Sequence, residues 1–129
     1  QAFQGVIDSY RLPSGTDELK AARTARIQEA LISAAEVPAQ LVRLAGAIVD
    51  LGSELFEVAN ASVISDIAAA ADAARAAATT ARVNIDINVV AVKDPATRSQ
   101  LAEQTDGLEE KVILAADSLV ERVRGRILS

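Results

Sequence analysis

The sequence predicts an all-α fold, an antiparallel helical bundle with long kinked helices. Three observations carry this. Half of the 129 residues are hydrophobic but only Phe3, Tyr10 and Phe56 are aromatic, so the apolar mass is Ala, Val, Leu and Ile. Apolar residues recur at steps of three and four over most of the chain, the period of a helix face. Between these runs stand Pro, Gly, Asn and Asp, in the combinations that start and stop helices.

Residues 1–12 read as the end of a helix, with Phe3, Val6, Ile7 and Tyr10 on one face. Leu12-Pro13-Ser14-Gly15-Thr16 breaks it, because Pro drives the residue before it away from helix and Gly permits a tight turn. Thr16 is placed as an N-cap, with Asp17 and Glu18 at the positive end of the next helix. That helix is long. Val37, Leu41, Leu44, Ile48, Leu51, Leu55 and Val58 form a heptad-like seam, which Ile27, Leu31 and Ala34 extend backwards. Pro38 lacks the N–H that would bond residue 34, predicting a kink or two helices end to end. Gly46 and Gly52 weaken the helix by about 1 kcal/mol each relative to Ala and let a neighbour approach closely.

Ala59-Asn60-Ala61-Ser62 supplies the next break, with Asn60 and Ser62 available as caps. From Val63 the chain turns strongly helical: ten of residues 67–81 are Ala, so a partner helix can lie close along it. Val83, Ile85, Ile87 and Val89 then alternate with polar residues, a strand period. A lone strand would have nothing to pair with, whereas a helix places Thr80, Asn84 and Asn88 on one face and pairs Arg82 with Asp86. We read helix. Asp94-Pro95 starts the last one, with Leu101, Leu108, Val112, Ala115, Leu119 and Val123 as its stripe and Gly107 as a weak point inside it. Arg122, Arg124 and Arg126 crowd its end, where cations favour the helix dipole; an anion site is the alternative.

Composition also excludes chemistry. No Cys removes disulfides, thiolate metal sites and cysteine nucleophiles; no His removes the commonest general base, the commonest metal ligand and every Ser-His triad. No pair has convincing metal-ligand spacing, so no metal is expected. A net charge of −5 argues against nucleic acid. No stretch approaches the ~20 apolar residues of a spanning helix and no signal-peptide pattern opens the chain, so no membrane is expected and the localisation expected is cytoplasmic. Gln1 stands where an initiator Met would, which suggests a fragment, a processed product or a longer protein.

Two segments resemble the cyclodeaminase/cyclohydrolase family of folate enzymes, which includes formiminotetrahydrofolate cyclodeaminase and the bacterial methenyltetrahydrofolate cyclohydrolases. Tyr10-Arg11-Leu12-Pro13, then Thr16 to Arg23, looks like the family's Tyr-Arg-Leu-Pro turn and the acidic, then basic, helix start after it. Asn60-Ala61-Ser62-Val63-Ile64-Ser65-Asp66 is similar to its Asn-Pro-x-(Ala/Val)-(Val/Ile)-Ser-Asp stretch, with Ala61 in place of Pro. Val83-Asn84-Ile85-Asp86-Ile87-Asn88, then Lys93-Asp94, resembles its Asn-Val-x-Ile-Asn…Lys-Asp stretch, and Val37-Pro38 matches a recurring Val-Pro. The likeness covers most of residues 1–95, collinearly. Family members carry a further N-terminal region with a Pro-Gly-Gly-Gly-Ser stretch that these residues do not contain. The expectation is one helical domain over 1–129 without that segment.

The resemblance implies an enzyme acting on a one-carbon adduct of tetrahydrofolate. In the deaminase, N10 attacks a formimino carbon and ammonia leaves; in the hydrolase, water attacks a cationic methenyl carbon. Both pass through a tetrahedral carbon and need proton transfer, not a metal or a redox cofactor, so the resemblance implies no cofactor beside the tetrahydrofolate substrate. With no His or Cys, Asp66 is the leading catalytic candidate, its alternative role being a first-turn carboxylate on the helix dipole. Asn84 and Asn88 offer an amide ladder to a pterin edge, or fix helix register. Ser65 and Asn60 belong to the same family-like stretch as Asp66 and are candidate binding residues. Arg11 is placed to meet a glutamate carboxylate, or to pair with Asp8 or Asp17. A non-catalytic helical interaction module is the other reading, supported by the heptad-like seams. Either way the apolar stripes predict a homodimer.

Overall fold

A computed structural model of the chain describes residues 2–129. All regular structure among them is helical: α1 (Ala2–Tyr10), α2 (Asp17–Val58), α3 (Ile64–Ala91), α4 (Pro95–Thr105) and α5 (Leu108–Leu128). The stretch with strand-like alternation lies in α3, so the helical reading holds. In the helix Ile85 and Val89 fall on the buried face, leaving Val83, Ile87 and Val90 exposed on another. The alternation is thus the trace of a helix that is apolar on two sides.

The expected starts are where the capping residues put them. The Leu19 amide donates to Thr16 Oγ1 at 3.3 Å, and the Thr97 amide and hydroxyl donate to Asp94 at 2.8 and 2.6 Å. These bonds hold the Asp94 carboxyl below its ordinary value, the Thr97 hydroxyl contributing most. Pro38 does not divide α2, which runs as one bent helix of 42 residues. Gly107 does divide the last helix: its φ of +66° is left-handed backbone, so α4 and α5 are separate.

The chain divides into two compact units, Gln1–Pro38 with Val83–Asp106 and Ala39–Arg82 with Gly107–Ser129. In the first, Leu31, Ala34, Ala35, Ile85, Val89, Val92 and Leu101 are buried. Gln28 reaches from α2 to the end of α3, accepting from the Lys93 amide at 2.5 Å and donating to the Ala91 carbonyl at 3.4 Å. Arg23 donates to the Tyr10 carbonyl at 2.7 Å, closing the end of α1.

The second unit is built on small residues. Ala71, Ala74, Ala78 and Ala81 of α3 are buried together with Val42, Ala45 and Val49 of α2 and Val112, Ala116, Leu119 and Val123 of α5. A methyl placed on Gly52 would sit 3.0 Å from Leu119 Cδ2 and 3.7 Å from Ile67 Cγ2, so all three helices converge there.

This packing corrects the predicted stripe of α2. The buried line through Leu31 and Ala34 continues by Ala39, Val42, Ala45, Val49 and Phe56, not by the seam. Val37, Leu41, Leu44, Ile48, Leu51, Leu55 and Val58 are all exposed, Leu44 at 58%. Close approach through Ala and Gly leaves no room for Leu and Ile between the backbones, so the bulky row faces outward. That row also gives α2 an 18-residue window of mean hydropathy 1.3, apolar and long enough to cross a membrane by length and composition alone, where none was expected. Core helices of other proteins meet the same measure.

Candidate functional site

The turn between α2 and α3 is organised by Asn60. Its Oδ1 accepts from the Ser62 amide at 2.9 Å and its carbonyl accepts from the Val63 amide at 3.3 Å. The Asp66 amide donates to the Val63 carbonyl at 3.1 Å, which opens α3 with Asp66 in its first turn. Beside this turn lies a groove of about 500 Å³ in the second unit. Ile48, Leu51, Leu55, Val58 and Val63 wall it with hydrocarbon, and Asp66 is its one charged lining residue. Asn60 adds an amide. A smaller groove of about 300 Å³ shares Ile48 and Ala70 with it and runs on between α2 and α3 along Leu41, Leu44 and Ala77. The two make an apolar trough with a carboxylate and an amide at one end.

The structure therefore brings Asp66 and Asn60 together. Ser65 adjoins Asp66 but is exposed and does not line the groove. Asn84 and Asn88 follow about five turns along α3, in the other unit, and line neither groove. Asn88 Nδ2 donates to the Asn84 carbonyl at 2.8 Å, a bond within its own helix. Arg11 is exposed and lies 3.7 Å from Asp8, the pairing that the sequence offered as an alternative. Among the described residues no group of His, Cys, Asp and Glu is arranged to hold a metal.

The arginines of α5 act on another helix. Arg126 donates to the Phe56 carbonyl at 2.6 Å, with its guanidinium carbon 3.7 Å from the Phe56 ring centroid. Arg122 lies over the same ring at 4.5 Å and pairs with Glu57. Arg124 pairs with Glu121 of its own helix at 3.2 Å. The cation at a helix C-terminus is therefore real, but the helix served is α2. Nothing in the sequence spacing could name that partner, since residues 56 and 126 are distant along the chain.

A model of the formiminotransferase-cyclodeaminase family matches residues 1–107. The chain belongs to that family. It is 34% identical over 127 residues to a protein of Methylorubrum extorquens named methenyltetrahydrofolate cyclohydrolase, covering 98% of this chain and 61% of that one. It is 29% identical over 126 residues to the formimidoyltransferase-cyclodeaminase of Sus scrofa, covering 98% of this chain and 23% of that one. The fold is similar, at a TM-score of 0.79 and 24% identity, to a crystal structure of formiminotetrahydrofolate cyclodeaminase from Thermotoga maritima, over 98% of this chain and 59% of the other. This family member thus spans about three-fifths of the cyclohydrolase and less than a quarter of the porcine protein.

Proposed function

We propose that the protein is a folate-dependent one-carbon enzyme, a methenyltetrahydrofolate cyclohydrolase or a formiminotetrahydrofolate cyclodeaminase. The observation that carries this is the trough with Asp66 and Asn60 at one end, in a chain of this family. A reduced folate joins an apolar aminobenzoyl body to a pterin with a polar edge. Hydrocarbon walls suit the body, and the amide of Asn60 can both donate to and accept from the edge. The methenyl adduct carries a positive charge, and a single carboxylate at the mouth attracts it. Asp66 then takes a proton from the attacking water as the C–O bond forms. The tetrahedral adduct opens as one of its two C–N bonds breaks: Asp66 returns its proton to the departing nitrogen, and the adduct hydroxyl loses its own as the formyl C=O forms. In the deaminase, N10 attacks the formimino carbon, the same carboxylate carries the N10 proton to the amino group, and the C–N bond to that group breaks as ammonia departs. No metal or redox cofactor is required by either sequence of steps. Among the described residues no cation lines the trough, so a folate glutamate tail would extend into solvent.

The protein acts as a homodimer in the cytoplasm on this proposal, while the exposed row of α2 from Leu41 to Val58 walls the trough and is kept for the substrate. The same row supports the second reading, a helical interaction module without catalysis. Loss of methenyltetrahydrofolate absorbance decides between them. The enzyme accelerates the decay over buffer, or releases ammonia from the formimino substrate; a full-length protein doing neither is not this enzyme.

A further inference from the structure

Val58, Ala59 and Asn60 enter the groove from the last residues of α2 and the turn after it, and a helix end is where backbone hydrogen bonds run out. The Leu55 carbonyl still accepts from the Ala59 amide at 2.8 Å. The carbonyl of Phe56, one residue on, is taken by Arg126 of α5. The same guanidinium is stacked on the Phe56 ring, which is 6% exposed, and Arg122 lies over that ring as well. Two cations on one ring would repel, but Arg122 is paired with Glu57, so Arg126 is left to the ring and the carbonyl. Backbone and side chain of one residue are thus held by one arginine, four positions before Asn60.

We propose that Arg126 is a positioning residue for the groove: by clamping Phe56 it fixes where α2 ends and so where Val58 and Asn60 stand opposite Asp66. Its kinetic consequence rests on the folate reading above; its structural consequence does not. The test compares the full chain with Arg126→Gln, Arg126→Lys and, as a control, Arg124→Ala, by hydrogen exchange and by turnover of methenyltetrahydrofolate. R126Q exchanges the amides of residues 57–63 about tenfold faster than wild type, R126K restores most of the protection, and R124A matches wild type. In turnover, R126Q raises KM about fivefold with kcat within about twofold, because the wall moves and the carboxylate of α3 does not. Unchanged exchange at 57–63 in R126Q overturns the proposal, and so does a fall in kcat at constant KM. If R126Q does not fold, Phe56→Leu is read by the same exchange criterion, since it removes the stacked ring and leaves the carbonyl. Wild-type protein without turnover sinks the folate reading, and the exchange result then decides the clamp alone.

Discussion

Three glycines in helices separate backbone propensity from space. Gly→Ala inside a helix stabilises by about 1 kcal/mol through the backbone alone. At Gly125 an added methyl meets nothing within 4 Å, so that gain stands. At Gly46 it would meet Val112 Cγ2 at 3.4 Å, an ordinary contact, and the gain is kept or slightly enlarged. At Gly52 it would lie 3.0 Å from Leu119 Cδ2, and Leu119 is 1% exposed, with no open space to retreat into. Overpacking a filled core costs about 1–3 kcal/mol. The net for Gly52→Ala is a destabilisation of about 0–2 kcal/mol, and the gap to Gly125→Ala is about 1–3 kcal/mol. Thermal unfolding followed by circular dichroism reads this directly, at about 3–5 °C per kcal/mol for a chain of this size. G125A and G46A melt above wild type and G52A at or below it. A G52A protein that melts as high as G125A would refute the claim that α2, α3 and α5 touch through that glycine.

Asp66→Asn keeps the shape of the side chain and removes its basicity; kcat falls by about 10²–10⁴ with the fold intact, measured by methenyl absorbance. Leu44→Glu with Leu51→Glu places charge on the exposed row of α2. Both residues wall the trough, so on the folate proposal KM for methenyltetrahydrofolate rises about tenfold or more in the same absorbance assay, with little change in unfolding temperature. Asp94 has its carboxyl held below the ordinary 3.8 by Thr97, so its contribution is complete above that pH and is lost as the pH falls through the lower folded value. Asp94→Ala therefore melts lower than wild type at pH 7, and the difference closes in acid.

Helix starts were the most legible part of the sequence, because a cap is a local event: Thr16 and Asp94 each bond an amide three residues on. The break at Gly107 was visible as a weak point, yet its left-handed backbone is a choice no spacing reveals. The seam of α2 was read correctly as a stripe and wrongly as continuous with Leu31 and Ala34. Periodicity weighs Leu above Ala, whereas this interior selects Ala39, Ala45 and Gly52 because they let backbones meet. For the candidate site, Asn60 and Asp66 were singled out through their shared stretch, and the short turn into α3 puts both on the lining of one groove. Asn84 and Asn88 share a helical face as expected, but a face does not say which unit it belongs to. Gln28 and Arg126 went unread as tertiary contacts, since each acts on a residue more than sixty positions away.

An interior made of methyl groups has a consequence for how this protein can change. Alanine surrenders no rotamer freedom on folding, so such a core orders at little entropic loss, but every larger replacement collides with a neighbouring backbone. Substitution is therefore steered away from the centre and onto the bulky outer row of α2, where exchanging one aliphatic group for another disturbs no packed contact within the chain. Divergence among descendants of this sequence should collect in that row, altering what the trough along it accepts before it alters how the chain folds.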